Sequence, residues 1–263
     1  MKLSFSTLGC PKWNLEKIAS KAVEYGFDGV ELRIGGTQHV DLSMSAGERK
    51  AVRKLFEDCG IEICSLGGYS QFCSENEKDL NENMDLLFNY IELAHDLGVP
   101  YVRTFIGQYP ETMTEDEAAE IAAKYLNLCG EKAIRNSVIV LIETHDAFGT
   151  AKQVHKIVSK IRNEGVAILW DIHHTCSGGE TPELTYAILG KLIKHIHLKD
   201  AEEDNVCLMG MGSLPIRETI SLLKNGGFDG YLSLEWEKMW IKELEEPEIA
   251  FPQYINYIRN ITM

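Results

Sequence analysis

The feature that most constrains this chain is an alternation that runs along its whole length. Short apolar, β-rich runs are each followed by a longer stretch of helical period. Eight runs read as strands, at residues 3–8, 29–34, 61–66, 101–106, 137–143, 166–171, 193–198 and 231–236. Helical stretches follow at 15–25, 46–59, 77–97, 115–135, 150–162, 182–189 and 215–224, with a last one from 245 to 259. Within them apolar residues recur three and four apart, as at Leu86, Leu87, Tyr90, Ile91 and Ala94. Gly26, Gly60, Gly98, Gly165, Gly190 and Gly226 stand where helices hand over to strands, and are read as left-handed caps. Eight such units in 263 residues predict one (β/α)₈ TIM barrel over residues 1–263, with no linker or low-complexity tract. The rival, an open doubly wound sheet, wants a Gly-rich phosphate loop after its first strand, and SFSTLGCPKW contains none. GFDGVEL (26–32) and GFDGYLSLE (227–235) echo one another at two handovers, as repeated β/α units would.

Composition narrows the class of partner. Apolar residues make up 44% of the chain, enough for a sizeable core. Against 26 basic residues stand 40 acidic ones, a formal charge of −14, with no basic cluster to offset it. Such a field repels polyphosphate and argues against a nucleic-acid partner. The seven cysteines are scattered with no C-x-x-C pair, as expected of reduced thiols in a cytoplasmic protein. The N-terminal MKLSFSTLGCPKW makes a poor signal peptide, and the longest aliphatic run, 138–142, is too short to span a membrane.

Four successive strands end in residues able to bind a metal or move a proton. SVIVLIETHD ends in Glu143 and His145, and VAILWDIHH in Asp171, His173 and His174. IKHIHLKD carries His195, His197, Lys199 and Asp200, and YLSLEWE carries Glu235 and Glu237. In a (β/α)₈ barrel the C-terminal strand ends surround one pocket, so these side chains can converge. Residues two apart share a face, which groups His195 with His197 and Lys199, and Glu235 with Glu237. Glu143, Asp171, His197 and Glu235 form a hard, oxygen-rich set suited to one divalent ion, Mn²⁺ or Mg²⁺ first, with Co²⁺ or Zn²⁺ also accommodated. Asp200 and Glu237 are expected as solvated or supporting groups and His195 as packing. His174 is preferred over His173 for the pocket.

Those strand ends resemble the xylose isomerase-like, sugar phosphate isomerase/epimerase superfamily over the whole chain. The matching pieces are GFDGVEL, LIETH, LWDIHH, HIHLKD, the glycine pair of MGMGSLPI (Gly210, Gly212) and YLSLEWE. The resemblance implies the same four metal ligands and assigns His174 as the D-x-x-H histidine. It also implies a choice among isomerases, epimerases, dehydratases and endonucleases. The endonuclease branch needs additional histidines, which CSLGGYS, VRTFIGQ and the segment after His197 do not offer. The free-ketose epimerase branch carries an arginine six residues past the ligand histidine, where this chain has Glu203.

The expected activity is a metal-dependent isomerase or epimerase of a small sugar, sugar phosphate or related polyhydroxy carbonyl compound. It would work through an enediolate, with Glu143 and Glu235 as the acid/base pair. A dehydratase acting on an inosose or dehydroshikimate is the alternative, and a metal-dependent phosphodiesterase ranks below it. His174, His145, Arg103 and Lys199 are the expected substrate-binding residues, with Trp13 and Trp236 as candidate pocket walls. Partners are limited to a small carbohydrate-like molecule. No membrane is expected, and a homo-oligomer is compatible with this reading.

Overall fold

The computed structural model of the chain describes residues 1–35, 39–203 and 205–262. The barrel strands are β1 (Lys2–Ser6), β2 (Gly29–Arg33), β3 (Glu62–Gly67), β4 (Tyr101–Thr104), β5 (Ile139–Glu143), β6 (Val166–Asp171), β7 (Ile193–Leu198) and β10 (Tyr231–Leu234). They close into one barrel in chain order, with β10 returning to β1. A small hairpin, β8 (Asp200–Glu202) with β9 (Asn205–Cys207), interrupts the series after β7. The helices are α1 (Leu15–Tyr25), α2 (Ala46–Cys59), α3 (Glu77–Leu97), α4 (Glu115–Arg135), α5 (Ala151–Val158), α6 (Ile172–Ser177), α7 (Pro182–Leu189), α8 (Ile216–Asn225) and α9 (Pro247–Thr262). Among the described residues no helix is long and apolar enough to cross a membrane.

The chain packs as two compact units, Met1–Cys64 with His195–Met263, and Ser65–Lys194. In the second unit β4, β5 and β6 pair in parallel, Arg103 opposite Leu141 and Glu143 opposite Leu169. Every residue of β6 is buried, as expected of a parallel strand covered on both faces. Leu141, Ala167 and Leu169 pack together with Tyr101 and Ile139 as an apolar cluster. Two residues further along the same faces stand Arg103, Glu143 and Asp171, so strand alternation sets these polar groups at one level beyond it. In the first unit His195 pairs with Tyr231 and His197 with Ser233, while Ser6 stands opposite Glu31.

Differences from the sequence reading have local causes. α5 stops at Val158 rather than running to 162. Asn127 of α4 takes over the backbone there, accepting from the Arg162 N–H at 2.8 Å and donating to the Lys160 carbonyl at 3.1 Å. α6 was not anticipated and follows β6 directly. Gly26, Gly60 and Gly98 are left-handed caps as expected, but Gly190 and Gly226 are not, the left-handed turn falling on Gly227 instead. Gly165 caps no helix. A Cβ there would lie 2.1 Å from the Gly130 carbonyl, so its role is to let α4 approach the start of β6.

Candidate metal centre

In the unit formed by residues 65–194, Glu143 ends β5 with its side chain fully buried. Arg103, at the equivalent end of β4, donates from Nη1 to Glu143 Oε2 at 3.1 Å. The guanidinium is aimed by two further hydrogen bonds, from Nε and Nη2 to the Gly68 carbonyl at 3.3 and 3.2 Å. Its plane lies over Phe105, 4.3 Å from the ring centre, and beside Tyr69 at 5.1 Å. Gly68 is required for this approach, since a Cβ would come within 2.7 Å of the Arg103 carbonyl. Arg103 is therefore a buried, oriented cation.

Asp171 ends β6 and starts α6. Its Oδ1 accepts from the backbone N–H of His173 at 2.8 Å and of His174 at 3.3 Å, the geometry of a helix N-cap. Thr144 fixes the turn by accepting from the Asp171 N–H at 2.9 Å and donating to its carbonyl at 3.2 Å. The cap explains why a helix begins immediately after the strand, and it carries His174 Nε2 to 3.9 Å from Asp171 Oδ2. The His174 and His145 rings meet with centres 4.2 Å apart, and His145 also meets Phe105 at 4.6 Å. His145 Nδ1 lies 3.0 Å from Asp146 Oδ1, an ion-pair distance without hydrogen-bond alignment. Burial works against the His145 imidazolium, but Asp146, Glu143 and Asp171 outweigh it and raise its pKa. Asp146 itself is held below the usual range by His145 and sits at a φ of 51°, in the left-handed region. His173 stands apart from the His145 ring contact, its own ring 5.6 Å from His174.

In the unit formed by residues 1–64 and 195–263, His197 lies between two carboxylates. Its Nε2 is 3.2 and 3.0 Å from Glu31 Oε1 and Oε2, and its Nδ1 is 3.3 Å from Glu235 Oε1. His195 Nε2 is 3.2 Å from Glu31 Oε2. Lys199 Nζ pairs with Glu235 Oε2 and reaches Glu237 Oε1 at 3.0 Å. Burial opposes ionisation of Glu235, but Lys199 and His197 prevail and hold the carboxyl well below the usual range. The same competition at Glu31, burial against His197 and His195, has the same outcome.

Several side chains have duties that the sequence reading did not assign. Asp200 is buried and accepts from the backbone N–H groups of Ala201, Gly210, Gly212 and Leu214, closing the loop that carries the MGMGSLPI glycines. Glu237 contacts Lys199 as a supporting group would, and His195 is buried on Glu31 rather than merely packed. Trp236 is buried and donates its indole N–H to the Glu245 carbonyl at 2.9 Å, a packing role. Trp13 packs edge-on against Phe251 and lines a cavity of about 290 Å³ with Cys10, Lys12, Met239 and Lys242. Glu31 is the residue the sequence reading passed over. Its signal was present, because GFDGVEL and GFDGYLSLE each carry a glutamate on the strand side of the shared GFDG.

The chain is similar to several known proteins. Inosose dehydratase of Clostridium tetani is 26% identical over 224 residues, covering 73% of this chain and 74% of that protein. Fructoselysine 3-epimerase of Shigella flexneri is 21% identical over 257 residues, covering 92% of each. Among solved structures the IOLI protein with a binding zinc atom superimposes with a TM-score of 0.81 at 21% identity, covering 100% of this chain and 96% of that one. Residues 19–261 match the family model described as xylose isomerase-like TIM barrel, and with the barrel closed by eight parallel strands this chain belongs to that family.

Proposed function

We propose that this protein is a divalent-metal-dependent isomerase or epimerase of a small sugar, sugar phosphate or related polyhydroxy carbonyl compound. Glu143, Asp171, His197 and Glu235 hold one ion, and Glu143 and Glu235 move the proton. One observation carries the reading: all four side chains are buried at strand ends, Glu143 and Asp171 in one unit and His197, 3.3 Å from Glu235, in the other. Buried carboxylates resist desolvation, which a cation relieves. The donor set, three carboxylates and one imidazole, fits Mn²⁺, Mg²⁺, Co²⁺ or Zn²⁺, and the zinc of the IOLI protein is in keeping with it. When bound, the ion supplies Lewis-acid stabilisation of negative charge on a substrate oxygen.

The chain's own residues do the remaining work. Glu235, kept ionised by Lys199 and His197, is in the state that accepts a proton from the carbon beside a carbonyl. Glu143, oriented by Arg103, is the partner that delivers or removes the proton at its Oε atoms. His145 and His174, in ring contact and half-buried, are suited to substrate hydroxyls. A second reading, a dehydratase, is favoured by one feature. Lys199 lies against Glu235, where an ammonium proton can accompany a departing hydroxide. The test is incubation of the metal-loaded protein in D₂O with ketoses, ketose phosphates, inososes and hydroxypyruvate. Deuterium entering the substrate carbon with retained composition supports isomerase or epimerase chemistry. Loss of water supports the dehydratase. No exchange with any of them argues against proton transfer at this centre.

A further inference from the structure

The pairing of His197 with Glu31 settles which ring nitrogen carries a proton. An ionised carboxylate can only accept, so the Nε2 atom that lies 3.2 and 3.0 Å from its two oxygens is the N–H. In a neutral imidazole the other nitrogen, Nδ1, then carries a lone pair, and it faces Glu235 Oε1 at 3.3 Å. Two acceptors pointed at one another at that distance repel unless a cation, either a metal ion or the second proton of an imidazolium, lies between them. We infer that Glu31 is the positioning residue of the centre: it takes the Nε2–H of His197, fixes the ring's rotation and tautomer, and so presents Nδ1 to the ion. This inference rests on the proposed metal site and assigns Glu31 no contact with the substrate.

The surroundings support a fixed arrangement. Glu31 is 1% exposed and His195 and His197 are 0% exposed, so the carboxylate is shielded from bulk water. His195 Nε2, 3.2 Å from the same Oε2, brings a second ring against it. Behind His195 stands Tyr231, with ring centres 6.3 Å apart, and Tyr231 donates its hydroxyl to Glu62 Oε2 at 2.7 Å. Glu31 also sits opposite Ser6 in the β1–β2 register, on a strand whose five residues are all buried. The carboxylate therefore has little freedom to turn away. A hydrogen-bonded carboxylate behind a metal-ligating imidazole orients the ring and raises its basicity, and its loss lowers metal affinity by about 10–100-fold.

The experiment compares the parent protein with Glu31→Leu and Glu31→Gln, using Zn²⁺ alone as the probe. Chelator competition measures affinity and stoichiometry, and ¹⁵N NMR of the histidine rings reads the tautomer. The expected result is one ion per chain, His197 protonated on Nε2, and an affinity loss of about 10–100-fold in Glu31→Leu. Glu31→Gln keeps an acceptor oxygen and should recover part of that loss. Wild-type zinc affinity in Glu31→Leu would overturn the proposal, as would a His197 protonated on Nδ1. Binding of a second ion that Glu31→Leu abolishes would also overturn it, because Glu31, His195 and His197 would then be ligands of their own site. If the parent binds no ion, the proposed function fails instead. Glu31 is then judged on the ion-free protein, where ¹⁵N NMR should find His197 protonated on Nε2 in the parent and find that preference lost in Glu31→Leu. Thermal unfolding of both variants separates a folding defect from a local one, and Glu31→Gln, nearly isosteric, keeps the test open if Glu31→Leu fails to fold.

Discussion

At the scale of single residues, each glutamate of the proposed centre is paired with its own cation, Glu143 with Arg103 and Glu235 with Lys199. Glu143→Gln and Glu235→Gln retain shape and an oxygen but cannot accept a proton at neutral pH. Measured at saturating metal, each should lower kcat by about 10²–10⁴-fold while substrate binding is largely kept. Rates near the parent's in both would reduce the two residues to ligands. Asp171 has two separable duties, because its carboxylate also caps α6. Asp171→Asn retains a capping oxygen and should lose metal affinity with little change in the stability of the ion-free protein. Asp171→Ala should lose both, the cap being worth about 1 kcal/mol. Titration with metal and urea unfolding of the two ion-free variants distinguish the effects.

At the scale of elements, close backbone approach limits what the helices can tolerate. α4 lies against the start of β6 at a glycine pair. A Cβ on Gly165 would come within 2.1 Å of the Gly130 carbonyl, and one on Gly130 within 2.2 Å of Asn163 Oδ1. Backbone cannot yield as a flexible side chain does, so Gly165→Ala should destabilise by at least the 1–3 kcal/mol usual for overpacking, about 2 kcal/mol or more. Urea unfolding at constant m-value checks it. Because β6 ends in Asp171, a shift of that strand should also weaken metal binding, which a purely local strain would leave alone. A similar constraint holds the loop after the β8–β9 hairpin. There a Cβ on Gly212 would meet both the Ala201 carbonyl and Asp200 Oδ1 at 2.4 Å.

At the scale of the whole molecule, buried acids couple stability to pH. Glu31 and Glu235 have folded-state pKa values depressed below the ordinary carboxylate range. Such groups contribute stability that is fully present above their unfolded values, about pH 4.3, and lost as the pH falls toward the folded values. The ion-free protein should therefore lose Tm steeply below about pH 4, and Glu31→Gln should flatten that loss. Calorimetry across pH 3–7 reads both, on the scale of the ordinary carboxylate titration. Metal acts in the other direction. At a hundred times its Kd a ligand of the folded state alone adds about 2.7 kcal/mol, which raises Tm by several degrees in a chain of this size. A Tm indifferent to Mn²⁺ and Zn²⁺ would remove the ion from the folded state.

The sequence by itself determined the architecture, because strand alternation and helical period are local properties. β6, β7 and helices α1, α2, α3, α4 and α7 run between the residues expected of them. It also placed an acid or histidine at the end of each of four strands, since a parallel strand buried on both faces reads as an apolar run that a charged residue terminates. The structure decided what those residues touch. That Arg103 is a buried partner of Glu143 and that Glu31 stands behind His197 across 166 positions of chain are consequences of strand register. Gly165 makes the same point: a lone glycine reads as a helix cap, and only the position of α4 reveals it as a contact. Periodicity is written in neighbouring residues, whereas hydrogen-bond partners are chosen by the closure of the sheet, which brings distant strand ends to one level.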